Sequence, residues 1–130
     1  MIKNAILNTE LLCLLSRIGH TQTICVCDAG LPIPQNSQLI DLSVIPGCPD
    51  IQTVLTAILQ CTPTEKAYCA TESLEKNPGF VNFLTSMLTY DITYVSHEQL
   101  KELSHDCMAY VRTGECTPYA NVILQAATTF

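Results

Sequence analysis

Two side chains able to move or hold a proton bracket one short hydrophobic run in IGHTQTICVCDAGLPIP, residues 18–34. His20 stands before Thr23–Cys27 and Asp28 directly after it. An imidazole titrates near neutral pH and serves as a general acid or base, and an aspartate anchors hydroxyl groups. The second informative histidine is His97, in VSHEQL. Ser96-His97-Glu98-Gln99 has the capping-box form, Ser first and Gln three positions later, which predicts His97 at the first helical position. His20 is expected just beyond the C-terminus of another helix, where the helix's partial negative charge suits an imidazolium ready to give up a proton. His97 meets the opposite pole, which suits a neutral ring.

Plainer readings stand beside these. His20 is also the neighbour of a helix-terminating glycine, Asp28 a turn-forming aspartate ahead of Gly30 and Pro32, and His105 a solvated surface group. No other chemistry is spelled out. The serines lack a GxSxG elbow, the five glycines are isolated and form no phosphate cradle, and the histidines lack metal-ligand spacing. The residues alone therefore reach an α/β oligomer with a possible His/Asp site.

The elements that must position these groups follow from periodicity. Leu11, Leu14, Leu15 and Ile18 repeat at helical spacing, with Asn8 or Thr9 as the start and Gly19 as the stop. Thr23–Cys27 reads as a buried strand, which Leu31-Pro32-Ile33-Pro34 cannot continue because proline has no amide hydrogen. Leu39–Val44 is a second strand. Pro49-Asp50 opens a helix over 51–61, and Lys66–Thr71 is a weaker strand. Asn77-Pro78 starts a helix whose stripe is Phe80, Val81, Phe83, Leu84, Met87 and Leu88. Ile92–Val95 is a strand, the helix after Ser96 runs to about His105, and Met108–Val111 and Asn121–Ala126 are the last two strands. Alternating strands and helices predict one α/β domain, a largely parallel central sheet between helical layers.

Composition narrows the function classes. Within 130 residues, 48% are hydrophobic and only 14% charged, too little charge to cover a monomer's surface, so oligomerisation is expected. The formal net charge is −6 and the basic residues are scattered, which argues against nucleic-acid binding. Leu11-Leu12-Cys13-Leu14-Leu15 is too short to span a bilayer. Lys3 precedes only Ala5-Ile6-Leu7 before Asn8-Thr9-Glu10, so no signal peptide is expected and a cytoplasmic location is. Eight cysteines contain no CxxC, and most sit in apolar periodic segments, where a reduced thiol acts as a small hydrophobe. Cys25 and Cys27 should share one face of their strand.

SRIGHTQTICVCDAGLPIP, VSHEQL and RTGECTPYANVIL, taken in order, resemble the three signature blocks of the D-ribose pyranase family, relatives of the fucose mutarotases. The similarity runs from Asn8 to Phe130, with 44–90 matching in pattern only and somewhat short. The resemblance implies a three-layer α/β/α fold, a ring-like homo-oligomer, expected as a decamer, and sites at subunit contacts. It implies interconversion of the pyranose and furanose forms of D-ribose with His20 as proton donor. Sugar-binding positions carry over to Asp28, His97, Tyr119, Ala120 and Asn121, with Lys101 a weaker candidate. No metal or other cofactor is called for, since opening a sugar ring needs only proton delivery and removal. The strand between His20 and Asp28 then becomes a rigid spacer holding an acid and a sugar anchor near one pocket. Three alternatives remain at this point: a fucose-type mutarotase, a non-catalytic sugar-binding subunit of ribose uptake, and a thiol-based redox or metal protein resting on the cysteines alone.

Overall fold

The computed structural model describes residues 2–3 and 6–130; Ala5, in the apolar triplet ahead of the first helix, lies outside them. Asn8 caps helix α1 (Thr9–Arg17), its Oδ1 accepting from the Leu11 amide at 2.9 Å, and Leu11 and Leu14 turn inward. The helix does not end on a left-handed glycine. Ile18 takes extended backbone while its N–H still reaches the Leu14 carbonyl, and the positive φ in the following turn falls on Thr21, at 70°.

Among the described residues six strands form one sheet: β1 (Thr23–Cys27), β2 (Leu39–Asp41), β3 (Thr64–Ala70), β4 (Ile92–Val95), β5 (Tyr110–Arg112) and β6 (Val122–Ala126). Their order is β2-β5-β1-β6-β3-β4. The pairs β1–β5, β2–β5 and β3–β4 are parallel, and β6 runs antiparallel to both β1 and β3. Five strands thus share a direction and only β6 is reversed, so the sheet is mostly parallel.

Alternation along β1 sorts the core into two layers. Ile24 and Val26 face a cluster built with Leu11 and Leu14 of α1, the inner residues of α2 (Ile51–Cys61) and Phe80 and Leu84 of α4 (Pro78–Met87). Cys25 and Cys27 share the other face, as expected, with Leu31, Tyr110, Ile123 and Leu100 of α5 (His97–Ser104). The helical layers are unequal, three helices on one side and chiefly α5 on the other. A strand covered on both sides reads as an unbroken apolar run, which is why TICVC shows no polar alternation.

Several boundaries differ from those read in the sequence. β2 stops at Asp41 rather than Val44 because the Asp41 carboxylate accepts from both the amide and the hydroxyl of Ser43, turning the chain. A short helix, α3 (Glu72–Lys76), was not foreseen; it has no apolar stripe, and Leu74 is exposed. β3 begins at Thr64, and its register slips between Thr64 and Lys66, so Glu65 is an extra residue in a β-bulge. The cysteines are more divided than expected. Cys25, Cys27 and Cys69 are buried, Cys107 is half-buried, and Cys13, Cys48, Cys61 and Cys116 are exposed. Burial pushes the thiols of Cys69 and Cys107 up to about 12 and about 11. No helix among the described residues is long and apolar enough to cross a membrane.

Candidate active site

Strands running one way align their carboxyl ends along one edge of the sheet, the usual ligand edge of an open α/β sheet. A cleft of about 590 Å³ opens there, between the turn after β1, the start of α5 and the 115–121 loop that leads into β6. Because β6 is reversed, Asn121, just before its first residue, lies at this same edge. It is almost completely buried, with 1% exposure, and its amide clamps Asp28 twice. Asn121 Nδ2 donates to Asp28 Oδ2 at 2.8 Å, and the Asp28 amide donates to Asn121 Oδ1 at 3.0 Å. Gly30 N donates to the other carboxylate oxygen at 2.9 Å. Residues 93 positions apart are thereby fixed as one unit, the carboxylate held with acceptor capacity left over.

The opposite wall is aromatic. Ser96 and Gln99 form the expected reciprocal cap, placing His97 first in α5. Its ring meets Tyr119 edge-on, centroids 5.1 Å apart and planes at 79°. The His97 amide donates to both carboxylate oxygens of Glu72, at 3.2 and 3.0 Å. The backbone amides of Glu72 itself and of His97 hold that carboxyl below its ordinary range. Imidazole Nδ1 of His97 is buried with no hydrogen-bond partner among the described residues. Tyr119 sits in the left-handed region, φ 55°, and the Asn121 amide closes a tight turn onto its carbonyl at 2.9 Å.

The loop carrying Tyr119 is anchored from several sides. Thr113 Oγ1 donates to the Cys27 carbonyl at 2.9 Å. Glu115 accepts from the Thr117 amide and from the Ile51 amide that opens α2. Asn77 Nδ2 donates to Thr117 Oγ1 at 2.8 Å and to the Pro118 carbonyl at 3.0 Å. Gly114 is required by close approach: a Cβ there would lie 2.5 Å from the Cys48 carbonyl oxygen. Glu72 and Glu115 support the cleft, yet nothing in their local sequence pattern singles them out, and Asn77 is legible as a helix start but not as a prop of this loop.

Of the residues named from the sequence, Asp28, His97, Tyr119 and Asn121 line this cleft together. The Ala120 side chain is fully buried in the helix-side core, so only its backbone is near the site. Lys101 lies one turn along α5 in a neighbouring groove, paired with Glu98 at 2.6 Å. His20 is elsewhere. β1 alone separates the two edges by roughly 13 Å, four steps of about 3.3 Å, and His20 stands at the far edge. There its ring is half-exposed and its Nε2 lies 3.3 and 3.2 Å from the two carboxylate oxygens of Glu65. Within one copy the spacer separates the imidazole from the Asp28 cleft.

With this geometry established, comparison with known proteins places the chain. The model of the RbsD / FucU transport protein family matches residues 1–129. D-ribose pyranases of Citrobacter koseri and Salmonella arizonae are each 42% identical over 139 residues, covering all of this chain and all of theirs. Among solved structures, Bacillus subtilis RbsD complexed with D-ribose superimposes with a TM-score of 0.95 at 42% identity, both chains covered fully. A Streptococcus pneumoniae fucose mutarotase in complex with L-fucose gives 0.83 at 26% identity, over 99% of this chain and 100% of that one. The chain belongs to the RbsD / FucU transport protein family.

Proposed function

We infer that this chain interconverts the pyranose and furanose forms of D-ribose, without a metal or redox cofactor, and does so in the cytoplasm. The observation that carries the reading is the prebuilt cleft: a carboxylate locked by a buried amide, facing an imidazole and a phenol. It is supported by full-length similarity to a protein whose structure holds D-ribose. Asp28 retains lone pairs for sugar hydroxyls. His97 Nδ1, buried and unpartnered, gains most from a hydroxyl partner, because an unpaired buried polar atom is destabilising by about 1–3 kcal/mol. Tyr119 supplies an apolar ring face and a hydroxyl.

Opening the pyranose requires a proton on the ring oxygen as its bond to the anomeric carbon breaks, the bonding electrons going to that oxygen. The anomeric hydroxyl loses its proton and becomes the aldehyde carbonyl. A different sugar hydroxyl then adds to the carbonyl, and the two proton transfers run in reverse, so sugar and enzyme end with the protons they began with. His20 is the proton donor in this reading, supplied to the Asp28 cleft by a neighbouring copy. The opposite-edge placement supports that arrangement, as do the 14% charge content and the exposed Val44, Ile45 and Phe130. A decameric ring is the form this assembly is proposed to take.

Saturation-difference NMR on ribose, with fucose as comparison, tests the reading. The protein should accelerate ribose exchange, and His20→Ala should lower the catalysed rate by about 10²–10⁴-fold while ribose still binds. Binding with no acceleration by the unmodified protein would make it a sugar binder instead. Faster exchange of fucose than of ribose would move it to the mutarotase branch.

A further inference from the structure

The His20 edge holds a second built arrangement. The turn before β1 is pinned to β6: Thr21 N donates to the Ala126 carbonyl at 3.0 Å, Ala126 N returns to the Gln22 carbonyl at 2.9 Å, and Gly19 N donates to Gln22 Oε1 at 2.7 Å. Next across the sheet, Gln125 pairs with both Thr23 of β1 and Lys66 of β3. Thr23 lies in alternation with Cys25 and Cys27, so Gln125 and Lys66 point to that same face. Strict alternation from Lys66 would send Glu65 to the opposite, helix-covered face. The bulge overrides this by inserting Glu65 as an unpaired residue, which re-aims its side chain toward Gln125. Gln125 Nε2 donates to Glu65 Oε1 at 2.7 Å, and His20 Nε2 donates to Glu65 Oε2 at 3.3 Å.

We propose that Glu65, steered by the bulge and held by Gln125, is a positioning residue for His20: it fixes the ring and its Nε2–H, leaving Nδ1 to exchange the proton with the sugar. The proposal rests on the reading of His20 as proton donor. The carboxylate stabilises the imidazolium that must form before donation and keeps the ring from rotating. Its amide partner holds it ionised; Gln125 above all, and His20 after it, keep the Glu65 carboxyl below its ordinary range. Glu65 is the ionisable group facing His20, Lys66 is the next charge along β3, and β6 presents neutral Gln125. Without Glu65 the ring turns freely and presents Nδ1 to the sugar less often, so the loss falls on kcat rather than on binding.

Glu65→Gln should reduce kcat about tenfold with KM within about twofold, the split expected of a group that orients the donor without binding the sugar. Glu65→Asp, which keeps the carboxylate acceptor for Nε2–H, should restore part of kcat. It also serves as the informative variant should the glutamine form fail to assemble. In a His20→Ala background Glu65→Gln should have no further effect, since the two act through one ring. A wild-type kcat in Glu65→Gln, beside a dead His20→Ala, overturns the positioning role and leaves the donor reading intact. Wild-type exchange in His20→Ala overturns both.

Discussion

The two edges of the sheet are built to different standards. At the carboxyl edge, Asp28 is locked by a buried amide, its loop is tied to β1, α2 and α4, and the aromatic wall rests on a capped helix. At the amino edge, His20 is half-exposed and its ring touches one carboxylate. The first edge is organised before any ligand arrives, as binding with little ordering cost requires. The second holds a reactive group in the open, where a neighbouring surface can cover it. On the proposal that His20 serves the Asp28 cleft, it does so across a contact between two copies.

The largest effect should come from mixing two broken copies. His20→Ala and Asp28→Ala chains are each expected to be inactive alone. Co-refolded in equal amounts, they should recover up to about a quarter of wild-type exchange, because random assembly sets an intact ring beside an intact cleft at that frequency. A site completed within one chain would recover nothing. Next in size is Asn121→Ala. It strips Asp28 of two hydrogen bonds inside a buried network, so ribose affinity should fall roughly ten- to hundredfold and stability by about 1–3 kcal/mol. Titration calorimetry and urea unfolding read the two separately. Smaller still is Glu72→Ala, which loosens His97 through its backbone amide. Ribose affinity should drop about three- to tenfold, with kcat at saturating ribose nearly unchanged, in contrast to the kcat loss expected at the Glu65 edge.

The same contrast governs what the sequence could disclose. Signals confined to one turn of chain were readable: the Asn8 cap, Asn77-Pro78, the Ser96–Gln99 box that seats His97, and the doubly covered β1. Features that depend on which strands meet were not. The reversal of β6 is invisible locally, yet it is what carries Asn121 to Asp28. The bulge at Glu65 exists only in the register of β3 against β6. Spacing singled out His20, Asp28 and His97, and placed His20 and Asp28 correctly at opposite ends of one strand. It could not say that Asp28 and His97 meet in one cleft while His20 stands beside Glu65 at the far edge of the sheet. Tyr119, Ala120 and Asn121 came from resemblance, since a loop residue's partners are set by chain 90 positions away. The exposed Cys13 and Cys61 were misjudged because helical spacing marks which residues can share a face, not which face a neighbour covers.

The smallest expected effect comes from a pair near the cleft edge but outside the cleft, and it tests whether the site depends on its specific network or on general stability. Arg112 donates twice to Asp41 Oδ2, at 3.1 and 2.7 Å, tying edge strand β2 to β5. With Ser43 also donating, the Asp41 carboxyl is held down at about 2, the Arg112 guanidinium being the larger cause. A carboxyl depressed on folding adds stability that is fully present above its unfolded value near 4 and is lost as pH falls through about 2. Asp41 is 39% exposed, so solvent screening limits the contribution to about 0.5–1 kcal/mol. Asp41→Asn should therefore lower the urea midpoint slightly at pH 7, and its difference from wild type should shrink as pH drops below about 3. Ribose exchange at neutral pH should stay unchanged. A loss of exchange matching that of Asn121→Ala would mean that the cleft is sensitive to any loosening of the sheet, and the Asp28–Asn121 clamp would lose its special standing.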